Sequence, residues 1–200
     1  AADFAANTRT VRHPHIITVV TEHKSVLDAC RQLEERGFRI TRLPVDGDGL
    51  IRLEELGQSI GEETILISVM HANNEIGVLQ PIRDIGRMAR EHDILFHCDA
   101  VQSAGKVPVD VERSNIDLMS LSAHKIYGPK GVGALYVRRR GRRVELAEQI
   151  AGGGHERGMR SGTLNVPGIV GFGEACSIAR RELADESRRT SHLRDMLLAR

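Results

Sequence analysis

Thr64-Ile65-Leu66-Ile67-Ser68-Val69-Met70 is apolar except for Thr64 and Ser68. A β-branched run of this length, with no alternation, is the pattern of a strand buried on both faces. It is followed by the polar loop Ala72-Asn73-Asn74-Glu75 and then by Pro81, which suits the first turn of a helix. Ile82, Ile85, Met88 and Ala89 keep helical spacing as far as His92, and Ile94-Leu95-Phe96-His97-Cys98 predicts the next strand, ending on Asp99. Together these segments make one strand–helix–strand unit, whose two strands run parallel.

The same alternation extends both ways. Upstream, His15 to Val20 predicts a strand and Thr21 to Ser25 a loop and helix start. Val26, Leu27, Cys30 and Leu33 mark a helical face that Gly37 ends. Phe38 to Val45 alternates like a strand, Asp46-Gly47-Asp48-Gly49 is a turn, and Leu53 to Ile60 predicts a short helix. Downstream, Ile116 to Leu121 and Gly133 to Val137 predict strands, and Val166 to Arg200 is mainly helical. The expectation is an α/β fold with a mainly parallel sheet and helices on both faces.

Composition narrows the function classes. The chain has 200 residues, 40% of them hydrophobic, enough for a sizeable core. Its 28 basic and 27 acidic residues leave a net charge of +1, so no overall field favours nucleic acid or a membrane. Aromatics are 3% with no Trp, which disfavours base stacking. The basic run Arg138-Arg139-Arg140 with Arg142 and Arg143 reads as a solvated loop. There is no stretch of 18 apolar residues. Cys30, Cys98 and Cys176 are widely spaced, which suggests reduced thiols and a cytoplasmic setting. The nine histidines show no zinc-like spacing. The chain opens with Ala1-Ala2-Asp3-Phe4 rather than Met, and Glu182 to Arg200 reads as a helix that simply stops, so both ends look cut from a longer protein.

In parallel α/β sheets ligands bind beyond the carboxyl ends of strands. Asn74, Asp99 and Ser122 all fall just past expected strand ends. Ser122-Ala123-His124-Lys125, read with Asp99-Ala100-Val101-Gln102-Ser103, supplies the residue types that pyridoxal phosphate chemistry needs. These are an amine for a Schiff base, an anion for the ring nitrogen, and hydroxyl or imidazole donors for the phosphate. His23 adds an imidazole that could stack on the ring and shuttle protons. Each has an ordinary alternative: Lys125 solvated, Asp99 capping the segment after it, His23 capping a helix. Gly128 to Gly133 lacks the GK[ST] ending of a phosphate loop and precedes a strand. The glycine-rich stretch from Gly152, with Arg160-Ser161-Gly162-Thr163, could hold an anion or form a surface turn, and its low apolar content suggests that it takes order from a partner surface.

Five segments, in order along nearly the whole chain, resemble the cysteine desulfurases of the class V aminotransferase group, the NifS/IscS-like enzymes. They are Thr21-Glu22-His23-Lys24, Met70 to Gly77, His97 to Ser103, Ser122 to Gly131, and Gly152 to Thr163. The resemblance implies the large domain of a fold-type I enzyme dependent on pyridoxal 5'-phosphate, here incomplete. Residues 1–200 would be its central part, ending in a long helix toward an absent small domain. It implies a homodimer that takes sulfur from L-cysteine, giving L-alanine and an enzyme persulfide for iron–sulfur cluster assembly or tRNA thiolation. Partners would be sulfur-acceptor or scaffold proteins, with no direct nucleic acid and no membrane.

By position, the resemblance makes Lys125 the Schiff-base and proton-carrying lysine and His23 the ring-stacking catalytic histidine. Asp99 would pair with the pyridine nitrogen, Gln102 would bond the phenolic oxygen, and Asn74 would lie near that oxygen and the substrate carboxylate. Ser122 and His124 would bind phosphate, and Thr163 would reach the phosphate of the neighbouring subunit's cofactor. The family's Gly-Thr phosphate loop, catalytic cysteine loop and substrate arginine have no counterpart in the chain. The three cysteines, on a helix, in a strand and on a late helix, read as structural thiols, and the fragment alone is expected to be inactive. A selenocysteine lyase or another class V pyridoxal phosphate enzyme, and a non-enzymatic partner-binding scaffold, are the alternative readings.

Overall fold

The computed structural model describes residues 11–141 and 144–199. Arg142 and Arg143 of the basic run, the first ten residues and Arg200 lie outside the described residues. Six strands form one sheet: β1 (His15–Val19), β2 (Arg39–Leu43), β3 (Thr64–Met70), β4 (Leu95–Asp99), β5 (Leu118–Ser122) and β6 (Gly133–Val137). Their spatial order is β2-β1-β3-β4-β5-β6. The first five are mutually parallel, and β6 runs antiparallel to β5. The helices are α1 (Lys24–Glu35), α2 (Leu53–Ser59), α3 (Ile82–Glu91) and α4 (Val166–Leu198).

Alternation along the strands divides the core into two layers. Ile17, Val19, Ile67, Val69, Phe96 and Cys98 face Leu56 of α2 and Ile82, Ile85 and Ala89 of α3. On the opposite face Ile16 and Leu66 line a cavity together with Val26, Cys30 and Leu33 of α1. Leu95 and Leu118 on that face pack with Val144. The sheet is thus covered on both faces, and β3 is buried at all positions but Leu66, as its near-continuous apolar run requires. α3 seats close to the chain after the β4 crossover: a Cβ at Gly86 would stand 1.8 Å from the Ser114 carbonyl oxygen.

Most element ends fall within a residue or two of the sequence reading. The segment read as a strand over Ile116 to Leu121 is displaced. Asp117 turns inward, where its Oδ2 accepts the Phe96 amide at 3.0 Å, and the strand begins only at Leu118. The sense of β6 follows from its connection: the ten residues between Ser122 and Gly133 are too few for a parallel crossover with a helix of its own.

The basic run is not a solvated loop throughout. Arg138 is buried. Its Nε donates to the Ile116 carbonyl at 3.1 Å and its Nη2 to the Val111 carbonyl at 2.8 Å. It also pairs with Glu112 at 2.7 Å and with buried Asp117 at 3.2 Å. Arg139 and Arg140 are exposed. Near the start of α4, Phe172 and Ala175 pack on Ala123 and Ile126.

Candidate active site

Because β1, β3, β4 and β5 are parallel neighbours, their carboxyl ends lie on one edge of the sheet. His23 follows β1, Asn74 lies in the loop after β3, Asp99 is the last residue of β4 and Ser122 the last of β5. Gln102 sits in the turn after Asp99, and His124 and Lys125 sit on the 3-10 turn Ala123–Ile126. In register, Asp99 pairs with Met70 on one side and Ser120 on the other. The topology therefore brings seven of the eight expected site residues to a single edge.

Asp99 is 7% exposed. Its Oδ1 accepts the Val101 amide at 2.9 Å, so it also performs the capping role, and its backbone carbonyl takes the His71 amide at 2.9 Å. Two residues earlier on the same strand face, His97 spans its neighbours. Its Nδ1 lies 2.8 Å from Ser68 Oγ on β3, and its Nε2 lies 2.8 Å from Ser120 Oγ on β5. Burial pushes its pKa down to about 4, so the imidazole is neutral. Three strands are thus laced together one layer beneath Asp99.

His23 is exposed and is the N-cap of α1: its Nδ1 accepts the Ser25 amide at 3.2 Å and lies 2.8 Å from Ser25 Oγ. These contacts fix the ring through one nitrogen. Ser122 Oγ and His124 Nδ1 are 2.9 Å apart, which sets a hydroxyl and an imidazole side by side. Lys125 is half-buried on a turn closed by Tyr127 at φ 64° and by the Gly128 amide donating to the Ala123 carbonyl at 2.9 Å. Asn74 is exposed. Its neighbour Asn73 is the anchored one, with Nδ2 donating to the Thr21 carbonyl at 2.9 Å and Oδ1 accepting the Glu75 and Ile76 amides.

Thr163 is the eighth residue, exposed in the loop before α4 and carried by no strand end. The loop before it also carries contacts of its own. Buried Ser161 donates through Oγ to Glu148 at 2.9 Å and accepts the Gly154 amide at 3.1 Å, while its own amide donates to the Ile150 carbonyl at 3.0 Å. Cys30 and Cys98 are buried structural thiols, but Cys176 is exposed on α4 and does not fit that reading.

The strand-end residues do not line one cavity. Asp99 borders a cavity of about 330 Å³ beneath α1, with His97, Ser68 and Ser120 in its lining. Ser122 borders a groove of about 570 Å³ along α4, and Lys125 a second one of about 460 Å³, with Gly105 and Ile126 shared between the two grooves. Sequence reasoning missed His97, Asn73 and Glu22. The last has its Oε1 accepting the Met70 amide at the end of β3. The positions of Glu22 beside His23 and of His97 two before Asp99 were the available signals.

The donor set fits pyridoxal 5'-phosphate: a lysine amine, a buried carboxylate at a strand end, an exposed imidazole, and a paired hydroxyl and imidazole on the next strand. Among the described residues no three His, Cys, Asp or Glu side chains gather as a metal site, and no helix is long and apolar enough to cross a membrane.

A cysteine desulfurase of Anaeromyxobacter sp. (strain Fw109-5) is 61% identical over 183 residues, which are 92% of this chain and 45% of that protein. A solved NifS-like protein superposes with a TM-score of 0.90 at 44% identity, covering 98% of this chain and 54% of its own. A structure of SspA in complex with cysteine gives 0.80 at 50% identity, covering 86% and 49%. The chain spans about half the length of the curated relatives it matches. The class-V aminotransferase profile matches residues 2–200, and with the pyridoxal phosphate donor set on the strand-end edge the chain belongs to that family.

Proposed function

We propose that this chain is the central part of the cofactor-binding domain of a cytoplasmic, homodimeric cysteine desulfurase. Its product sulfur would pass to acceptor or scaffold proteins of iron–sulfur assembly or to tRNA thiolation. The observation that carries the reading is the convergence of His23, Asp99, Ser122, His124 and Lys125 on one strand-end edge. Identity of 55% to 61% to proteins named cysteine desulfurase supports the reaction type, and cysteine bound to a relative supports the substrate.

Bound pyridoxal phosphate supplies an electron sink for bonds at the amino acid's α- and β-carbons. The chain's residues do the rest. Asp99, held by the Val101 amide through Oδ1, would pair with the pyridine nitrogen and favour the protonated ring. His23, its ring fixed by Ser25, would stack on the cofactor ring. Ser122 and His124 hold the phosphate, and Gln102 and Asn74 serve the phenolic oxygen and substrate carboxylate. Lys125 Nζ would hold the cofactor and serve as the proton carrier. Thr163 completes the phosphate site of the neighbouring subunit.

The test is borohydride reduction of the full-length protein followed by peptide mapping. The cofactor should be fixed at Lys125, and Lys125→Ala should abolish both the visible absorbance and the adduct. An adduct that persists at another lysine overturns the assignment.

A further inference from the structure

The loop from Val20 to His23 is tied to the end of β3 by two long-range hydrogen bonds. Asn73 Nδ2 donates to the Thr21 carbonyl at 2.9 Å, and the Met70 amide donates to Glu22 Oε1. Glu22 is 5% exposed, and its Oε2 is buried without a hydrogen-bond partner. Met70 is the register partner of Asp99, so Glu22 reaches the strand end adjacent to the cofactor carboxylate from one residue before His23.

We infer that Glu22 is a positioning residue of the cofactor site: as a neutral carboxylic acid it pins the His23 loop to β3 beside Asp99, and its ionisation unpins that loop. The inference rests on the proposed cofactor role of His23. An ionised carboxylate with one hydrogen bond and one dry, unpartnered oxygen is unfavourable, and a second negative charge near Asp99 makes it more so. A proton on Glu22 removes the buried charge and its repulsion with Asp99.

The surroundings agree with a neutral acid. Burial pushes the Glu22 carboxyl up to about 8, with the Asp99 carboxylate adding to the rise and the Met70 amide opposing it. The titratable groups that act on Glu22 from packed elements are Asp99 and Cys98 of β4 and Cys30 of α1, none of them cationic. Burial pushes both thiols up, so they are uncharged. His71 at the end of β3 is buried with its pKa lowered, and His97 is neutral. His23 and Lys24 of the loop itself are exposed.

The test compares wild type, Glu22→Gln and Glu22→Ala in the full-length protein. Gln keeps the acceptor for the Met70 amide and cannot ionise. The first readout is the hydrogen-exchange protection factor of the Met70 amide in apo protein. Wild-type protection should fall by up to about tenfold per pH unit between pH 4.5 and pH 8 and level off above pH 8, because in that window only the pinned loop keeps the Glu22 proton. Gln should hold its protection to pH 9, and Ala should show weak protection throughout. The second readout is pyridoxal phosphate affinity across the same range. The Lys125 amine contributes equally in wild type and Gln, so only wild type should show the additional weakening, which builds up between pH 4.5 and pH 8. A Gln variant as poorly protected at pH 7 as Ala overturns the inference, as does a wild-type profile that Gln reproduces. A wild type that binds no pyridoxal phosphate overturns the functional reading on which it rests. Unchanged Met70 protection in a cofactor-binding protein overturns the inference alone.

Discussion

Replacing His97 by Asn tests whether the layer beneath Asp99 is held by a neutral imidazole. His97 is buried between Ser68 and Ser120, and burial lowers its pKa from 6.5 to about 4, against a smaller opposing pull from Asp99. The folded protein therefore binds fewer protons here than the unfolded chain between pH 4 and pH 6.5. Stability rises with pH across that window and is lost as pH falls through it. At about 1.4 kcal/mol per tenfold change in proton affinity, the loss on acidification is about 3 kcal/mol. His15, also buried and lowered to about 4, adds an acid-sensitive contribution of the same sign from its site between Thr41 and Thr64. Glu22, raised to about 8, has the opposite sign between pH 4.5 and 8.

His15 and Glu22 are common to wild type and variant, so they cancel in the difference. The assay is urea unfolding of the apo full-length protein at fixed concentration from pH 7.5 to pH 4. His97→Asn loses packing and one or both serine contacts, a cost that is constant with pH. The stability gap between wild type and variant should therefore shrink by about 3 kcal/mol on acidification. Parallel curves would show that His97 is charged or water-accessible in the folded protein, and the reasoning about the layer under Asp99 would be wrong.

Two further outcomes follow from the strand-end edge. Asp99→Asn keeps an oxygen for the Val101 amide, so thermal stability should change little while kcat of the full-length protein falls by roughly 10²-fold; near-normal turnover would leave Asp99 as a cap alone. In a mixed dimer of Lys125→Ala and Thr163→Ala subunits, the one site with Lys125 should bind pyridoxal phosphate with wild-type affinity, and binding as weak as in a Thr163→Ala homodimer would place that contact within one chain.

The parallel sheet was legible because its evidence is local. Thr64 to Met70 has no polar face, and Pro81 opens a helix of the length that a crossover needs. The strand-end residues were legible for the same reason, since a strand's end can be read from its own sequence. What escaped depends on distant neighbours. Glu22 is one residue of a loop and helix start in sequence, and its role shows only when the Met70 amide, 48 residues later, reaches its carboxylate. Arg138 reads as one of several solvated arginines until buried Asp117 and the Val111 and Ile116 carbonyls surround it. The Gly152 to Gly162 loop lacks apolar anchors, yet Ser161 links it through a polar network that composition does not reveal.

The residues that escaped share a physical role. His97 and Glu22 are polar groups pressed into the sheet and kept uncharged by burial, while Asp99, on the last residue of a strand, is linked to both neighbouring strands through backbone and register. A carboxylate placed one residue earlier on β4 would point to the opposite face, into the core with α3, because side chains alternate along a strand. Placed one residue later it would lie on the turn and lose the register contacts with Met70 and Ser120. Position 99 is where a carboxylate can be rigidly held and still face the loops that carry His23, Gln102 and Lys125. Neutral His97 lies beneath it and Glu22 beside it, and among the described residues no cationic side chain pairs with that carboxylate. A charge so placed is stabilised most by a cationic N–H arriving from the open edge, the group that a protonated pyridine ring presents.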